Sequence, residues 1–173
     1  MKSLILAALA ALFLPVAASA QAADTLLNTP SANWNVYGPS QTHKGVRDKK
    51  VQGGGAMRVT LAAKPANAWD AGASNPIEKP IRKGDKLMLA VWARLESGDP
   101  AASTEIAAAI QRSSAPYAPI VSGRLTLTPE WRLVHIQGVA EADISAGGAN
   151  IALSLGTAAH VVDLGPAFVL LVQ

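Results

Sequence analysis

The sequence has no cysteine. That single absence excludes a disulfide framework, a cysteine-ligated zinc site and a thiol nucleophile. Aromatic residues are scarce, with four Trp, two Tyr and two Phe in 173 residues, so any function that uses aromatic faces must use few of them. Charge of one sign is scarce as well. Fifteen basic residues stand against twelve acidic ones, a net charge of +3, and they are scattered rather than clustered. Nothing in that balance points to a nucleic acid or an acidic membrane surface as partner. His43, His135 and His160 lack the serine and aspartate neighbours of a hydrolytic triad, and no G-x-S-x-G elbow occurs. Glu105, Glu130 and Asp163 have no sequence context that marks them as a catalytic pair, so no catalytic residue is assigned. After the N-terminal leader, no stretch of about 20 residues is apolar enough to span a bilayer.

The leader itself, "MKSLILAALAALFLPVAASAQA", has one lysine, an apolar run from Leu4 to Leu14, and small residues ending in Ala18-Ser19-Ala20. This pattern predicts a secretory signal peptide over residues 1–20, cleaved after Ala20. Ala22 is a second site, because Ala20-Gln21-Ala22 has the same small-x-small form. Residues 24–173 then form a single domain exported to a bacterial periplasm or exterior, and without disulfides its core must stabilise it.

Period-two segments separated by Gly, Pro and Asn clusters dominate this domain. They predict nine strands: Asp24 to Asn28, Ala56 to Ala62, Ala68 to Ser74, Lys86 to Glu96, Thr104 to Arg112, Ile120 to Leu127, Trp131 to Val139, Asn150 to Leu155 and His160 to Val172. Such spacing, with no amphipathic helix, indicates an all-β antiparallel sandwich or barrel. The alanines of "STEIAAAIQRS" favour helix, but Ile106, Ala108 and Ile110 alternate, and a strand is the better reading. The segment from Asn33 to Gly55 is rich in charge, Gly and amides and long for a loop. It reads either as a binding loop or as one or two polar edge strands.

In "KGDKLMLAVWARLES", Leu87, Leu89, Val91, Ala93 and Leu95 share one strand face and Met88, Trp92 and Arg94 the other. The leucine face belongs to the core. The same phase sends Gln111 outward from the Thr104 strand, and His135 and Gln137 outward from the Trp131 strand. Trp131, following "TPE", reads as a structural plug. Trp34, Tyr37, Trp69 and Tyr117 admit both packing and binding roles.

Several pieces in order carry a family resemblance: "LLNTPSANWNVYG", "GGGAMRVTLA", "NPIEKPIRKGDKLMLAVWARL", "IAAAIQRSSAPYAPI", "LTLTPEWRLVHIQGVA" and "ANIALSLGTAAHVVDLGPAFVLL". Together they resemble the carbohydrate-binding modules of the cellulose- and xylan-binding jelly-roll type, families four, nine and twenty-two, in the galactose-binding-like superfamily. The resemblance implies a two-sheet antiparallel jelly roll that binds a poly- or oligosaccharide without transforming it. On that pattern the concave sheet carries Trp92 as an aromatic platform, with Arg94, Gln111 and Gln137 as hydroxyl partners and His135, Tyr117 and Trp69 as further members. The opposing reading of Trp92 is that the Asn33 to Gly55 segment folds over it. The resemblance also implies a structural calcium ion, for which Asp24, Asn28 and Asp163 are the ligands at matching ends of the chain. A monomer with a carbohydrate ligand is expected; the alternative is an envelope scaffold that docks on protein, and the minor one an accessory of glycoside hydrolase activity.

Overall fold

The computed structural model describes residues 25–98 and 102–172. The leader and Asp24 lie outside them. Among the described residues eleven strands form: β1 (Thr25–Leu26), β2 (Asn35–Tyr37), β3 (Gln41–Arg47), β4 (Gly55–Leu61), β5 (Gly72–Ile77), β6 (Lys86–Gly98), β7 (Thr104–Arg112), β8 (Pro119–Leu127), β9 (Arg132–Val139), β10 (Ala149–Ser154) and β11 (His160–Val172). They make two antiparallel sheets packed face to face. One has the order β3-β4-β11-β6-β9, with β1 also on β11, and the other the order β2-β5-β10-β7-β8.

Strand alternation decides what lies between the sheets. Leu87, Leu89, Val91, Ala93 and Leu95 of β6 are buried there, facing Ile106 and Ile110 of β7 and Ile151 and Leu153 of β10. Each fully buried Leu or Ile contributes about 1.5–3 kcal/mol. That core takes the place of cross-links in a chain that has none.

The Asn33 to Gly55 segment follows its edge-strand reading. It supplies β2 to one sheet and β3 to the other, with a short 3-10 turn at Gln52–Gly54. The expected strand from Ala68 to Ser74 is different in kind. Its first part is a 3-10 turn, Ala68–Asp70, closed by Asp70 Oδ2 accepting from Asn67 N at 2.9 Å and by Asp70 N donating to Asn67 O at 3.1 Å. This local side-chain bond outcompetes the extended conformation, and β5 starts only at Gly72.

One corner of the sandwich is closed by glycine. A Cβ at Gly123 of β8 would lie 2.7 Å from Ile136 Cγ2 of β9, and a Cβ at Gly138 of β9 would lie 2.9 Å from Val121 Cγ1 of β8. The two edge strands, from different sheets, therefore approach as closely as bare backbone allows. Gly123→Ala is expected to destabilise the fold by about 1–3 kcal/mol through overpacking, read as a lower urea midpoint at unchanged m-value.

His160, at the start of β11, is buried, with Nδ1 3.2 Å from Thr104 Oγ1. Burial pushes its imidazole below the ordinary value near 6.5, because the cation is poorly solvated there. The folded protein thus holds His160 neutral while the unfolded chain protonates it. Stability is complete above about pH 6.5 and falls as pH drops from there toward the lower folded value. The melting temperature of the wild type should fall more between pH 7.5 and 5.5 than that of His160→Gln; equal falls would remove His160 from the pH response.

Candidate functional site

The outer face of the five-stranded sheet is unusual in carrying small side chains. Strand register places Asn35, Ser74, Ala152, Ala109 and Ser122 in one row across β2, β5, β10, β7 and β8. The next row is Tyr37, Gly72, Ser154, Ala107 and Arg124. Alanine, serine and glycine raise nothing above the pleat, so the sheet itself becomes a floor. Over it lie three depressions of about 310, 680 and 390 Å³. The first and second share Asn35, Ser74, Ser113 and Asn150, and the second and third share Gln111, Ala152 and Ser154. They form one continuous groove that crosses the strands.

Three aromatic rings line the central part. Trp69 stands on the 68–70 turn and is 67% exposed; the Asn67–Asp70 bonds hold that turn rigid. Tyr117 rises from the turn between β7 and β8. Tyr37 lies across the floor, its Oη where it would sit 2.6 Å from any Cβ at position 72. Only glycine fits beneath it. Burial of this phenol pushes its pKa above the ordinary value. Between the rings sit amides and hydroxyls: Asn35, whose Nδ2 donates to Ser74 Oγ at 3.4 Å, with Gln111, Asn150 and Ser154. Among the described residues, Arg124 is the one charged side chain in the lining, loosely paired with Glu105 at 3.5 Å.

Of the residues expected at a site, Gln111, Tyr117 and Trp69 meet in this groove. Trp92, Arg94, His135 and Gln137 do not. The strand phase is as expected, but β6 and β9 belong to the six-stranded sheet, and these side chains emerge on the opposite side of the molecule. There the Asn33 to Gly55 segment covers Trp92: its indole donates to Gln52 Oε1 at 3.2 Å, and Val51 is buried alongside. Arg94 stacks over Trp131 at 5.2 Å and donates to Asp163, while Trp131 donates to Asp48 at 2.8 Å. That hydrogen bond is the main cause of an Asp48 carboxyl held below its usual range. Trp131 is thus a packing residue. Asn35, Ser74, Asn150 and Ser154 were missed as site residues, although Asn150 and Ser154 alternate with Ile151 and Leu153 and the same parity argument reaches them.

The two described members of the calcium set, Asn28 and Asp163, do not come together either, and Asp24 lies outside the described residues. Asn28 Nδ2 donates to Ala167 O, and Asn28 Oδ1 accepts from Val169 N. Val169 is six residues from Asp163 along β11, roughly 20 Å at about 3.3 Å per residue. Both oxygens of Asp163 accept from guanidinium groups, Arg58 Nε at 2.7 Å and Arg94 Nε at 2.9 Å among them. Its own hydrogen bond to Asp163 raises the Arg58 pKa above its ordinary value. A carboxylate saturated by two cations does not fit a calcium ligand, and no group of three or more His, Asp or Glu suited to a metal occurs among the described residues.

No sequence-family model and no curated protein match this chain. Solved structures do. The second N-terminal cellulose-binding domain of Cellulomonas fimi β-1,4-glucanase C superposes with a TM-score of 0.63 at 20% identity, over 88% of this chain and 98% of that one. The CBM22-1 xylan-binding domain of Paenibacillus barcinonensis Xyn10C does so with 0.58 at 16% identity, over 89% and 99%. The fold is the jelly roll of these binding domains. The same jelly roll matches the MgGH51 α-L-arabinofuranosidase with a TM-score of 0.60 at 8% identity, over 83% of this chain but a quarter (25%) of that enzyme.

Proposed function

We propose that this jelly roll is an exported, monomeric, non-catalytic carbohydrate-binding module that holds a poly- or oligosaccharide in the groove of its five-stranded sheet. The observation that carries this reading is the pairing of aromatic rings with a floor of small residues. Sugars offer apolar ring faces and a fringe of hydroxyls. Trp69, Tyr117 and Tyr37 suit the faces, and Asn35, Ser74, Gln111, Asn150 and Ser154 suit the hydroxyls. Hydrolysis by the usual route needs two carboxyl groups about 5 to 9.5 Å apart; the groove lining among the described residues holds neither Asp nor Glu. The fold is shared with domains named for binding cellulose and xylan, which supports the ligand class, and the leader sequence supports export to a periplasm or exterior.

Affinity electrophoresis through gels containing hydroxyethylcellulose or soluble xylan tests the proposal. The wild type should be retarded, and Ala152→Phe, which fills the central depression from its floor, should run as if the polysaccharide were absent. A wild type that migrates freely through a panel of neutral and acidic glycans would overturn it. The exposed Leu133, paired with half-buried Trp92, and the exposed Val139, two residues along β9 from the partner of half-buried Met88, on the far sheet favour a second reading, docking of that face on an envelope protein. Cross-linking that is lost in Leu133→Glu with the groove intact would establish it.

A further inference from the structure

Tyr117 occupies a backbone conformation that a tyrosine enters only at a cost. Its φ is +55°, in the left-handed region where Cβ crowds the following carbonyl and glycine or asparagine fits far more easily. Its N–H closes the turn by donating to Ser114 O at 2.8 Å, a bond that any residue but proline would make equally. The side chain gains little core burial in exchange, since Tyr117 is 54% exposed. Among the described residues, the other non-glycine residue with positive φ is Ser40, at +57°, whose short polar side chain suits a turn. Folding alone therefore gives no reason for a large aromatic at position 117. Its ring lines the central depression together with Trp69 and Tyr37, and strained backbone persists where a site requires it.

We propose that Tyr117 is a ligand-contact residue whose left-handed backbone fixes the ring as a rigid wall of the groove, at the expense of fold stability. The inference rests on the glycan reading of that groove. A ring at the tip of a pliable loop would have to be immobilised on binding, which weakens affinity. With φ set and the turn closed, only the two side-chain torsions remain to be ordered. The wall is in place before the sugar arrives.

Four variants test this: Tyr117→Gly, Tyr117→Ala, Tyr117→Asn and Tyr117→Phe, each followed by thermal melting and by affinity electrophoresis on hydroxyethylcellulose and soluble xylan. Strain predicts that Tyr117→Gly melts roughly 2–4 °C above Tyr117→Ala, the reverse of the usual order of these residues, with Tyr117→Asn between them. Contact predicts that the three ring-less variants lose at least about tenfold in affinity, as expected for an aromatic anchor, and that Tyr117→Phe keeps most of it. Tyr117→Ala melting at or above Tyr117→Gly would remove the strain. Ring-less variants that bind like the wild type would remove Tyr117 from the site while leaving the groove in place. A wild type that binds no glycan would remove the groove reading, and the role of Tyr117 with it.

Discussion

Asp163→Asn is expected to lower the stability of the protein by about 3 kcal/mol, the lower end of the range for breaking a buried ion pair, and its melting temperature by on the order of 10 °C. Asp163 is wholly buried on the outer side of β11, yet it is not in the apolar core. Arg58 from β4 and Arg94 from β6 reach it from the two flanking strands, and the 48–54 segment with Trp131 helps to shut out water. Its carboxylate is the charge that both guanidiniums share. Neutralising it leaves two cations about three-quarters buried, with Glu96 at 3.1 Å and 2.6 Å as their remaining close partner, which is why the loss sits at the low end. The argument also says what should repair the damage. Asp163→Leu combined with Arg58→Met and Arg94→Met removes all three desolvation costs together and should recover most of the stability, since apolar replacement of a buried ion cluster is often neutral or better. Urea unfolding at constant m-value is the measurement. A single variant within about 1 kcal/mol of the wild type, the worth of an exposed pair, would show that water reaches the cluster. Because two guanidiniums already saturate this carboxylate, a calcium chelator should leave the melting temperature unchanged.

Much of the architecture was legible because alternation is a local signal. The inward faces of β6 and β7 can each be read from their own residues, and both are buried as read. Sheet membership is not local. Nothing in Lys86 to Glu96 says that its hydrogen-bonded neighbours are β9 and β11 rather than β7 and β10. The parity that put the leucines inside therefore could not say which outer face Trp92 shared. With the neighbours known, Trp92 stands beside Leu133 and Arg94 beside Asp163, far from Gln111. The groove was harder to read for another reason. Its defining residues are Gly72, Ala107, Ala109 and Ala152, which signal only by being small, and Tyr37 and Asn35 lie on a three-residue strand too short to show a period. β3 was foreseen only as one of the polar edge strands that Asn33 to Gly55 could hold, without bounds, because it carries Thr42, His43 and Lys44 where an inner strand would carry apolar residues.

The two tryptophans that the sequence ranks the other way round, Trp92 as the platform and Trp69 as a further member, should separate cleanly in experiment. Trp69→Ala is expected to reduce glycan affinity by roughly 30-fold or more, the about 2 kcal/mol that marks an aromatic hot spot, with little change in melting temperature. The ring is two-thirds exposed (67%), and its turn is held by Asn67 and Asp70, which the substitution leaves alone. Trp92→Ala should do the opposite. Its ring is half-buried under Gln52 and Val51 on the far sheet, so removing it costs about 2 kcal/mol, less than the 3–5 of a full core aromatic, while the groove and its affinity remain. Isothermal titration with a soluble oligosaccharide, run beside thermal melting of the same preparations, reads both quantities for both proteins. If Trp92→Ala lost affinity and Trp69→Ala kept it, the binding face would be the six-stranded sheet after all, and the small-residue groove would be only a consequence of how β10 and β7 pack their isoleucines and leucines inward.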